Sequence, residues 1–149
     1  FDLPADLISL LYSVYIVGLF TGPFTSKVTT KTGYRKTLVL GAIIFAVGLL
    51  ILLGKELYLV ITGLTCVCIG FFMIHINAAA KLNGLVKTGL GEANSLYMIW
   101  YYLGAFAGSL WAILVFENKG WNTLIFLSVV LLCILTVSAR GNASATNQP

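Results

Sequence analysis

Gly22-Pro-Phe-Thr-Ser-Lys-Val-Thr-Thr-Lys-Thr-Gly-Tyr-Arg-Lys36 is the stretch whose reading decides the fold. It lies between two long apolar runs and gathers Lys27, Lys31, Arg35 and Lys36. No other part of the chain concentrates charge in this way. Apolar spans on both sides make it a loop between membrane helices, and its charge sets the face of the bilayer on which it sits. Gly33 allows the tight turn into the second helix, because glycine takes positive φ at no steric cost. The four cations are expected near the end of the first helix, where the macrodipole is negative.

Composition supports the membrane reading. The 149 residues are 59% hydrophobic and 9% charged, against roughly half apolar and a quarter charged in soluble domains. The net charge of +4 does not point to nucleic acid, because the cations sit in short connections between apolar spans, where orientation in the membrane explains them. Cys66, Cys68 and Cys133 fall inside apolar spans, and the first two are too close on one helix to converge on a metal. No metal site, cofactor, paired carboxylates, phosphate loop or nucleophile beside a histidine is found, so no enzyme is expected. The opening Phe1, in place of methionine, suggests a piece of a longer chain.

Five apolar runs follow, read as transmembrane helices over about 5–23, 37–54, 57–80, 93–116 and 121–138. The fold class expected is therefore an all-α membrane protein. Pro4 and Asp6 suit the first turn of the first helix. Gly22-Pro23 is read as its end, Gly54-Lys55-Glu56 and Glu117-Asn-Lys-Gly120 as turns, and residues 139–149 as a polar tail without fixed structure. One side receives Lys27, Lys31, Arg35, Lys36, Lys81, Lys87 and Arg140, the other only Lys55 and Lys119. Seven cations against two place the first group and the C-terminus in the cytoplasm.

The spans differ in polarity. The second carries no hydrogen-bonding side chain from Leu38 to Gly48, and the fifth only Ser128 and Thr136, so both can face lipid. The first, third and fourth carry Tyr12 and Tyr15, then His75 and Asn77, then Tyr97 and Tyr101. Those three are expected to line any water-filled cavity. His75, the single histidine, can exchange a proton near neutral pH or simply bond a neighbouring helix. Asn77 lies about 200° round the helix from it, so the two face different ways. Tyr97, Tyr101, Gly104, Gly108 and Trp111 form one stripe, read as an aromatic wall for an amphipathic substrate, with the two glycines packing against a neighbouring helix.

Lys31, Gly33, Arg35 and Lys36, with Ser26 and Gly22-Pro23 before them, also resemble the signature loop of the major facilitator superfamily. Thr30 stands where that motif has an acid, and Ser26 where it has its first glycine. The superfamily carries the loop once in each half, and this degenerate form resembles the second copy. Gly70-Phe-Phe-Met-Ile-His75 and Ser95-Leu-Tyr-Met-Ile-Trp-Tyr-Tyr-Leu-Gly104 look like its bacterial efflux permeases. The resemblance implies helices eight to twelve of a twelve-helix inner-membrane transporter, a proton-coupled antiporter exporting small molecules, with the N-terminal half missing. In that fold helices eight, ten and eleven border the cavity, the division that polarity gives independently. The alternative is a free-standing small membrane protein that serves as a structural or dimerising subunit.

Overall fold

The computed structural model describes residues 12–145, with side chains over 13–138. Residues 5–11 of the expected opening helix, with Pro4, Asp6 and the side chain of Tyr12, lie outside them. A 3-10 turn (Tyr12–Ile16) leads into α1 (Val17–Thr32), followed by α2 (Tyr34–Ile51), α3 (Leu57–Leu85) and α4 (Leu90–Ala145). The described residues contain no strand.

Helix α1 does not stop at Gly22-Pro23. It runs through the proline to Thr32, so the expected loop contracts to the single residue Gly33. Proline removes one backbone donor, but a threonine ladder holds the helix on either side of it. The Thr21 hydroxyl donates to the Val17 carbonyl at 2.9 Å and Thr25 to that of Thr21 at 2.7 Å. Both threonines are buried, which draws this face inward past the break. Gly33 has φ 86° and makes the whole connection. Its N–H bonds the Thr29 carbonyl, and its carbonyl accepts from the Thr37 N–H. Lys31 therefore occupies the last turn of α1, while Arg35 and Lys36 fall in the first turn of α2. The dipole favours only the first of these.

Helices α2 and α3 form the closest pair, joined by a turn at Leu52–Glu56. Their contact is built on glycine. A Cβ on Gly70 would lie 2.6 Å from the Gly41 carbonyl oxygen, and one on Gly48 2.8 Å from that of Gly63. Only hydrogen fits there, so the two backbones meet directly. Helix α2 thus has a buried face, including Thr37, Ala42 and Leu49, although its lack of polar side chains suggested a helix free to face lipid.

Helix α3 extends to Leu85, past Asn83-Gly84, which leaves 86–89 as its link to α4. Helix α4 is broken at Gly120, where φ is 78° and ψ is 177°. Its second arm traces α2 in reverse. Trp121 bonds the Leu52 carbonyl at 2.9 Å, Ile125 packs on Leu49 and Leu52, and Thr136 and Val137 lie beside Val39. The helix continues to Ala145, into the tail expected to lack structure.

Among the described residues, three helices are long and apolar enough to cross a membrane: Tyr34–Ile51, Leu57–Leu85 and Leu90–Ser138. The count differs from the expected five at two places: α1 is described over 16 residues, and the fourth and fifth expected spans abut at the break at Gly120.

Candidate functional site

His75 sits on α3 one turn after Phe71, and Tyr97 and Tyr101 sit one turn apart on α4. Side chains four apart share a helix face, so two short rows meet across the helix pair. The Phe71 and His75 rings stack at 5.8 Å and 9°. The Tyr101 ring lies 4.8 Å from His75 and 6.3 Å from Phe71. Tyr102 stands edge-on to Tyr101 at 5.2 Å.

The chain of rings continues towards the N-terminus. Phe72 is 5.3 Å from Phe71 in a T-shaped contact, and the edge of Tyr15 meets Phe72 at 6.4 Å. Phe72 lies against Gly18, where any side chain would collide with its ring. A continuous aromatic line therefore joins the 3-10 turn, α3 and α4 through Tyr15, Phe72, Phe71, His75 and Tyr101. Phe71 and Phe72 were not singled out beforehand. Spacing was the available signal for Phe71, four residues before His75.

The polar centre of this line is His75 with Tyr97. The tyrosine oxygen is 2.9 Å from His75 Nδ1 and 3.4 Å from the His75 carbonyl oxygen. The two distances allow two arrangements. With Nδ1 bare, the Tyr97 hydroxyl donates to it. With Nδ1 protonated, the ring donates to Tyr97 Oη, and the hydroxyl hydrogen turns to the carbonyl. The pair can thus accept either proton placement on Nδ1 without losing its bond.

Asn77 faces elsewhere. It is 2% exposed, accepts from Thr29 Oγ1 at 3.1 Å and donates to the Tyr34 carbonyl at 2.9 Å. It is a structural tie among three helices, on a different face from the ring cluster. Lys81, one turn further on, lies over the Tyr34 ring at 5.7 Å. Lys27, Lys31, Arg35 and Lys36 are exposed around this tie.

Gly104 and Gly108 do not pack within the described residues, since a Cβ on either would meet nothing within 4 Å. The glycines that bring helices together are Gly41, Gly48, Gly63 and Gly70. The first arm of α4 instead exposes Phe106, Leu110 and Ile113. No group of three or more His, Cys, Asp or Glu side chains able to hold a metal occurs among the described residues.

Residues 1–143 match the profile of the Major Facilitator Superfamily. An uncharacterized transporter of Buchnera aphidicola from Baizongia pistaciae is 30% identical over 143 residues, covering 90% of this chain and 33% of the relative. The inner membrane transport protein YnfM of Escherichia coli is 31% identical over 136 residues, 90% of this chain and 32% of its own length. The MFS-type transporter YybF of Bacillus subtilis is 31% identical over 97 residues, 65% of this chain and 24% of the relative. The chain spans about a third or less of the length of these relatives, which are named as transporters and not as enzymes. No solved structure matches.

Proposed function

The chain belongs to the major facilitator superfamily, and we propose that it forms the C-terminal part of a secondary transporter moving small molecules by alternating access. In this reading α1, with the residues before it, and the two arms of α4 each cross the membrane, as do α2 and α3, giving five spans. The reversal at Gly120 supports this count, because the second arm runs back along α2 to Val39. Seven of nine cations at one end support a cytoplasmic C-terminus in an inner or plasma membrane.

The observation that carries the reading is the His75–Tyr97 pair inside an aromatic line shared by three elements. Aromatic faces suit an amphipathic small molecule, and the hydroxyl and imidazole supply direction. His75 takes and returns the coupling proton, and the titratable groups facing it among the described residues are Tyr97 and Tyr101. Export is the direction proposed. The rest of the transporter, including its N-terminal half, covers the exposed first arm of α4.

The test is transport by the full-length protein in proteoliposomes under an imposed pH gradient. Gradient-driven movement of an amphipathic fluorescent cation, with a flattened pH profile in His75→Gln, is the expected result. Movement indifferent to the gradient sinks the coupling, and an unchanged profile in His75→Gln removes His75 from it.

A further inference from the structure

A cleft lies away from the ring cluster, at the end of the molecule where α2 turns into α3 and α4 breaks. It encloses about 840 Å³ between the Leu52–Glu56 turn and Gly120. Its walls are apolar, with Leu52, Val60, Leu64 and Phe116 among them, and Lys55 and Lys119 line it from opposite elements. Trp121 closes one side. Its ring is held by the bond to the Leu52 carbonyl and by an edge contact with Phe116 at 6.2 Å.

We propose that this cleft binds an anionic phospholipid, with its phosphate between Lys55 and Lys119 and an acyl chain along Val60 and Leu64. Three observations on this chain select that occupant. Two lysines line the one cleft, and the acids beside them in sequence, Glu56 and Glu117, do not. Beneath the cations the walls offer hydrocarbon, which suits an acyl chain and gives a hydrated anion nothing. A tryptophan marks this level as the interface between headgroups and tails, where its amphipathic ring is stable. Lysines reaching from apolar helix ends towards phosphates follow the same logic. The inference needs only that these helices lie in a bilayer, so it stands or falls separately from the transport reading.

Trp121 is also the reporter. In the full-length protein with Trp121 as its only tryptophan, reconstituted into phosphatidylcholine, brominated phosphatidylglycerol and brominated phosphatidylcholine are compared as quenchers. The expected result is a preference of about tenfold for the glycerol lipid, abolished in Lys55→Gln/Lys119→Gln and kept in Lys87→Gln. Equal quenching by the two lipids with the lysines intact overturns the proposal. So does reversal by free inorganic phosphate, which would mark a soluble-anion site. Native mass spectrometry of the lysine variants, with tryptophans restored, repeats the comparison if the single-tryptophan protein is unstable. Phosphatidylglycerol retained equally with and without the two lysines again overturns it.

Discussion

The side-chain amide of Asn77, near the end of α3 opposite the Trp121 cleft, donates to the backbone carbonyl of Tyr34 at 2.9 Å. Tyr34 is the first residue of α2, and the same asparagine accepts from Thr29 on α1. One buried side chain thus ties both sides of the Gly33 connection to a third helix.

Asn77→Leu keeps the branched outline and removes both bonds, leaving the Tyr34 carbonyl without its side-chain donor. A loss of about 1–2 kcal/mol is expected, read as a lower thermal midpoint of the full-length protein in detergent. Asn77→Asp, which keeps the acceptor and loses the donor, should also fall below the parent. An unchanged midpoint in Asn77→Leu would show that the tie is inert.

Tyr97→Phe and Tyr101→Phe separate hydroxyl from ring. Both keep the aromatic surface, but only Tyr97 bonds His75. Tyr97→Phe should reduce transport a few-fold and displace its pH profile, in keeping with one hydrogen bond of about 1 kcal/mol. Tyr101→Phe should leave the profile in place. Equal effects on the profile would mean that the hydroxyl at Tyr97 has no special part.

Gly70→Ala places a methyl group against the backbone of α2, where neither helix can yield without separating. We expect a cost of about 2 kcal/mol. Gly84→Ala, in the same helix with nothing within 4 Å of the new Cβ, should instead gain up to about 1 kcal/mol from helix propensity. Thermal unfolding of the two variants side by side decides the point.

Much of the helical arrangement was open to reading, and the misses have two physical causes. Long apolar runs between charges could only be helices, and polarity picked out the elements that the ring line joins. Side-chain chemistry, however, cannot reveal contacts made by its absence. Gly41 and Gly48 lie seven apart in a plain apolar span, as do Gly63 and Gly70, and nothing local distinguishes them from Gly104 and Gly108. Which pair of helices meets is decided in three dimensions. Gly22-Pro23 misled for the opposite reason. The local stop signal is real, but the threonine ladder and the burial of Thr21 and Thr25 carry the helix through it.

The open face of α4 gives a further prediction. If the remainder of the transporter covers Gly104 and Gly108, Gly104→Leu should destabilise the full-length protein although nothing within this chain opposes it. The intact mass of the protein extracted from its native membrane is the companion measurement. A mass well over twice 16.1 kDa supports a covering half in the same polypeptide. A mass equal to this chain would favour a dimerising subunit.

With Gly33 as the only residue between α1 and α2, the cations around it cannot behave as a diffuse cloud of charge. Lys27 and Lys31 are carried on one rigid rod and Arg35 and Lys36 on the next, and a single pair of backbone dihedrals joins the rods. Their backbone anchors therefore keep a set spacing, like marks on a folded ruler, and only the side chains roam. A partner surface or lipid headgroup that matches the spacing would meet an array already in position, with no loop left to freeze.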